Sequence, residues 1–223
     1  SRVNLPDTLL GEGWYWVAWA AWLPLFARSL FKAPWSLLKE SELLNVWLGM
    51  IVLLTLIWSL KAGVKPGLSL HLLGATVFTL SFGPHLAFIG LSLVLFGISL
   101  NGEAGLLAYA LNVLLMAGVG VLLSQAIYRM VFRFLPRHFF VYIFANGFFG
   151  AALTVFGVGL VAAIMLAIAG AYEWNYLANE YLPYFLLLGF SEAWLSGMLM
   201  TLFVIYRPNW VATFDDSSYL ANK

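Results

Sequence analysis

Apolar residues run through this chain in blocks of roughly membrane-spanning length, and charged residues fall almost entirely between the blocks. The first block, Gly13 to Ala27, holds 15 uncharged residues. It is short for a span of about 20 residues, but Arg28 and Lys32 can carry their charges to the interface and lengthen it. An interfacial helix is the competing reading, because Trp14, Trp16, Trp19 and Trp22 favour the headgroup boundary. Leu43 to Leu60 makes a second span. From Pro66 to Gly102 there is no Asp, Glu, Lys or Arg, and these 37 residues suit two short helices divided at Gly83-Pro84. The fifth block extends from Ala104 to about Tyr128 and gives way to Arg129, Arg133 and Arg137. Phe139 to Ala171 exceeds one span, and its glycines predict a re-entrant or broken start around Asn146-Gly147. A seventh block, Tyr181 to Tyr206, carries one carboxylate, Glu192. The pattern predicts an all-α polytopic membrane protein, a single transmembrane domain over residues 1–223. Its helices are expected at about 13–32, 43–61, 68–83, 85–100, 104–128, 139–171 and 181–206.

Loop charge orients the bundle. With the N-terminus outside and the C-terminus cytoplasmic, the inner segments hold Arg28, Lys32, Lys39, Arg129, Arg133, Arg137, Arg207 and Lys223. The outer ones hold only Arg2, Lys61 and Lys65. Composition agrees with membrane residence: 63% of residues are hydrophobic and 9% charged, far from the proportions of soluble chains. A net charge of +1 without a basic stripe argues against a nucleic-acid partner. Cysteine is absent, so any ligand atoms are nitrogen or oxygen.

Polar side chains inside spans are costly and mark candidate sites. His71, Asn112 and Glu192 stand out. His71 is placed in the first turn of the third helix, on the outer side with the N-terminal tail. His85 and His138 fall on the opposite side, which argues against a three-histidine metal site. A lone intramembrane histidine can equally be a hydrogen-bonding partner between helices, and Asn112 and Glu192 can likewise be structural. Glu192 lies just off the face formed by Gly189, Ala193 and Gly197, whose four-residue spacing suits close helix packing, so it is expected to point inward. No phosphate-binding loop, zinc-protease motif or nucleophile elbow occurs.

Certain runs are more specific. Gly67-Leu68-Ser69-Leu70-His71-Leu72-Leu73-Gly74 through Phe82-Gly83-Pro84, then Asn101-Gly102-Glu103-Ala104-Gly105-Leu106 and Ala110-Leu111-Asn112-Val113, resemble the CbiM/NikM family. These are the cobalt- and nickel-capturing membrane components of energy-coupling factor ABC transporters. At the start, Val3-Asn4-Leu5-Pro6-Asp7-Thr8-Leu9 lines up with a family pattern like M-H-I-P-D-G-F, with Ser1-Arg2 read as added residues and Val3 at the initiator position. In that family the free amine, a backbone amide and a histidine from the leading segment bind the metal in a square plane with the histidine of the short third span. Such a nitrogen plane suits Ni(II) or Cu(II).

The resemblance implies His71, Asn4 and Val3 as metal-site residues, with Asn112, Glu192 and Asp7 around them. It departs at Asn4, where an amide replaces the family's histidine and weakens the case for cobalt or nickel. The implied function is substrate capture for an energy-coupling factor transporter of a divalent metal (nickel, cobalt or copper), without enzymatic activity. The implied partners are the lipid bilayer, ATPase subunits and a coupling membrane subunit, and the implied location is the bacterial inner membrane. Two rivals stay open: a membrane assembly platform without a solute pocket, and an intramembrane enzyme using His71 and Glu192 as an acid–base pair.

Overall fold

In the computed structural model, residues 12–58, 62–63, 69–70, 74–100 and 109–214 are described. Among them the chain forms seven main helices: α1 (Glu12–Lys32), α2 (Ser41–Trp58), α3 (Ala75–Phe82), α4 (Pro84–Leu100), α5 (Tyr109–Phe134), α6 (Phe139–Ile168) and α7 (Trp174–Tyr206). A five-residue 3-10 turn, Trp35–Lys39, joins the first two. Helices α5, α6 and α7 are each long and apolar enough to cross a membrane, and the apolar stretches Ser41–Leu56 and Pro84–Leu100 are shorter.

Helix α1 buries Tyr15, Ala18 and Trp22, positions spaced to share one face, against α4 and the first turn of α5. Trp19 and Trp22 both pack on the Tyr109 ring. This buried face distinguishes α1 from a helix lying alone at the interface.

Helices α6 and α7 form the closest pair, and small residues permit it. Gly147 faces the Gly197 backbone, and Gly189 sits on Ala152. Gly159 lies beneath the buried Phe185 ring, where any Cβ would collide with the ring. The expected break near Asn146-Gly147 does not occur. Tyr142–Phe149 instead winds as a π-helical turn and α6 remains continuous, which keeps the backbone bonded while shifting the register of its faces. Similar turns lie at Leu114–Val119 in α5 and at Leu177–Tyr181 in α7, the latter just ahead of Pro183, whose missing N–H an α ladder would need. Helix α5 also runs past Tyr128 to Phe134, carrying Arg129 and Arg133 within it.

The third helix departs most from the expected 68–83. Ser69–Leu70 pairs antiparallel with Ala62–Gly63, and the helix begins at Ala75. The cause is Gly74, whose left-handed backbone (φ 71°) cannot belong to a right-handed helix. The expected place of His71 in the first turn lies outside the described residues. With eight residues, α3 rises about 12 Å, well short of a hydrocarbon core of about 30 Å.

A carboxy-terminal strap completes the end of α3. Ala212 N–H donates to Ser81 O, and Thr213 donates to Leu80 O from both its N–H (3.2 Å) and its Oγ1 (2.6 Å). These are carbonyls that a helix end leaves unpaired. Tyr142 OH bonds Thr213 Oγ1 at 2.6 Å, and Tyr128 OH donates to Thr213 O. Thr213→Ala removes the Oγ1 links, so an expected loss of about 1–2 kcal/mol should appear as a lower midpoint of thermal unfolding in detergent. Thr213→Ser, which keeps the hydroxyl, should stay near wild type.

Candidate functional site

One end of the bundle gathers the basic residues. Arg28 and Lys32 close α1, Arg129 and Arg133 close α5, and Arg207 follows α7. Trp210 Nε1 donates to Glu42 Oε1 at the start of α2, and His85 Nδ1 lies 3.3 Å from Ser29 Oγ, which ties the α3–α4 turn to the same end. Helix α3 thus starts partway through the bundle and finishes at the basic end. Gly74 sits at that depth outside the helix, and such backbone is tolerated in a membrane only where protein satisfies its polar groups.

Glu192 supplies that satisfaction. It lies in α7, 1% exposed, and its Oε1 accepts the Gly74 N–H at 2.8 Å. Ser196, one turn further along α7 and also buried, donates its hydroxyl to the same oxygen at 3.3 Å. The packed face of Gly189 and Gly197 lies against α6, so the carboxylate beside that face turns toward α3. A carboxylate at the start of a helix is also favoured by the positive end of the helix dipole. The outcome is a fixed root, at bundle depth, for the segment whose last residues are His71-Leu72-Leu73.

Next to this root lies a crevice of about 100 Å³ bounded by Met50, Leu54, Val77, Phe78 and Leu199, with Glu192 and Ser196 as its polar members. Its walls are hydrocarbon. Deeper in the core, Thr76 Oγ1 bonds Ser124 Oγ at 3.0 Å, which lies 3.2 Å from Thr154 Oγ1, linking α3, α5 and α6 through hydroxyls. Asn112 is 1% exposed in the first turns of α5, a segment that packs against α1 and α4, whereas Glu192 faces α3. His71, Val3, Asn4 and Asp7 lie outside the described residues. Among the described residues, no group of three or more His, Cys, Asp or Glu comes together. His85 and His138 are both away from Glu192: His85 pairs with Ser29, and His138 accepts the Phe140 N–H at the start of α6. Gly74 and Ser196 carry no signal in the sequence as strong as that of Glu192. Ser196 is marked only by its four-residue spacing to Glu192, and the Gly74 conformation leaves no comparable trace.

Residues 4–210 match the CbiM family, described as the cobalt uptake substrate-specific transmembrane region. The chain belongs to the CbiM family. As a CbiM-family protein it is an integral membrane component of metal uptake and not an enzyme, which removes the acid–base reading of His71 and Glu192. Two solved structures share its fold. A truncated transition metal transporter superposes with a TM-score of 0.77 at 21% identity, covering 91% of this chain and 98% of that one. Another transition metal transporter gives a TM-score of 0.76 at 21% identity, covering 91% and 92% respectively. No curated protein matches the chain.

Proposed function

We propose that this CbiM-family chain captures a divalent transition metal at the outer side of a bacterial inner membrane and works with ATPase subunits and a coupling membrane subunit of the energy-coupling factor type. In this reading His71 and the leading segment Val3-Asn4 supply ligands, with Asp7 beside them. Glu192 holds the His71 segment at depth through Gly74, and Asn112 orients the opposite wall. The single observation that carries the reading is the bond to the buried Glu192 from the N–H of Gly74, three residues after His71 in the chain. Membership of a metal-uptake family and the likeness to transition metal transporters support the cargo class. The excess of Lys and Arg in alternate loops supports the orientation, with the basic end cytoplasmic.

Calorimetric titration tests this. A chain beginning at Val3 should bind at least one of Ni(II), Co(II) and Cu(II). His71→Ala should weaken that binding by about 100-fold or more, since losing even a residue that only supports a ligand costs about 10–100-fold. Equal, weak binding of all three metals and of zinc by both proteins would end the metal reading.

A further inference from the structure

At the basic end, away from Glu192, α1 and α5 part to leave a cavity of about 610 Å³ with α4 behind it. Helix α1 packs on α4 and the start of α5, while the later part of α5 packs on α3 and α6, so the two helices diverge toward this end. Leu25 and Leu122 line the cavity and are 45% and 71% exposed. In a protein embedded in lipid, an opening edged by exposed leucines faces hydrocarbon, so an occupant entering there must itself be amphipathic.

Charge follows the same two helix faces. Arg28 comes three residues after Leu25, and Arg129 seven after Leu122, spacings that keep each arginine above its leucine on one face. Arg28, Arg129 and His85 line the cavity's polar part, and among the described residues no carboxylate lines it. Gln125 also lines it. Phe88 and Val121 extend the apolar wall inward. An apolar slot open to lipid with two guanidinium groups at its head matches an anionic phospholipid.

We propose that this cavity is a specific site for one such phospholipid, with its phosphate held by Arg28 and Arg129 and an acyl chain along Leu25, Leu122 and Phe88. The proposal is independent of the metal reading, because no residue in it touches Glu192 or Gly74.

Native mass spectrometry of the full chain in neutral detergent, with dioleoyl-phosphatidylglycerol or dioleoyl-phosphatidylcholine added, tests it. One phosphatidylglycerol per chain should be retained with a preference of about 30-fold over phosphatidylcholine, from two arginines near the membrane surface. Arg28→Gln/Arg129→Gln should bring the preference close to unity, and Arg133→Gln/Arg137→Gln, on the same end but outside the cavity, should leave it unchanged. Inorganic phosphate should not displace the lipid. Equal retention of the two lipids by the wild type overturns the proposal, and so does an equal loss in the control pair. Displacement by phosphate would show a free-anion site instead, and filling by an acidic segment of a partner chain with the lipid excluded would show a protein contact; either outcome also overturns it. Should the arginine pair be needed for folding, the wild-type selectivity between the two lipids decides alone.

Discussion

Replacing Glu192 by alanine is expected to lower both the stability of the bundle and its capture of metal. The side chain is buried and its Oε1 receives the Gly74 N–H at 2.8 Å and the Ser196 hydroxyl at 3.3 Å. Alanine leaves both donors without a partner in a hydrocarbon setting, at a cost of about 1–3 kcal/mol for each unsatisfied buried group. For two such groups in a chain of this length that corresponds to a fall of about 4–24 °C in the unfolding midpoint. Metal capture should weaken by tenfold or more, because about 1.4 kcal/mol of lost loop anchoring is a factor of ten in affinity. Glu192→Gln retains an oxygen for the Gly74 N–H and should recover most of the stability. Thermal unfolding beside metal titration of the two variants separates these effects. An alanine variant with wild-type midpoint and affinity would show that the carboxylate does not hold the segment.

Much of this site is legible in the order of residues along the chain, and the part that is not has a common cause. The blocks of apolar residues mark the helices, because a bilayer requires every spanning segment to satisfy its own backbone. Gly189, Ala193 and Gly197 mark the packed face of α7 and so the inward turn of Glu192, since small residues every four positions lie on one side of a helix. What stays hidden is the partner of Glu192. Gly74 is 118 positions away in sequence, and its N–H is available because it caps the start of α3, a place that one glycine among 20 does not announce. Thr213 is hidden in the same way: its partners are the Leu80 carbonyl and Tyr142, brought together by tertiary packing alone. The helix faces follow from local periodicity, whereas the two bonds that set the depth of α3 follow from the way distant helices pack.

Gly74→Ala should therefore be more damaging than its size suggests, and comparison with Gly83→Ala separates the reasons. Both glycines have positive φ, so alanine strains the backbone at either position, by about 1–2 kcal/mol at the left-handed Gly74 and by about 1–3 kcal/mol at Gly83, whose φ of 84° and ψ of 170° suit glycine alone. Only at Gly74 would the new Cβ also meet a neighbour, the Leu54 Cδ2 at 2.9 Å, and Leu54 is itself buried; at Gly83 there is open space. Gly74 also donates to Glu192, and Gly83 lies at the far end of α3. Both variants should unfold at lower temperature, but only Gly74→Ala should lose metal affinity, by about tenfold. Adding Leu54→Ala to Gly74→Ala removes the collision and leaves the backbone strain, so it should restore capture only in part. If Gly83→Ala were to weaken capture as much as Gly74→Ala, the loss would come from general disturbance of α3, and the Glu192–Gly74 bond would have no particular part in holding the cargo.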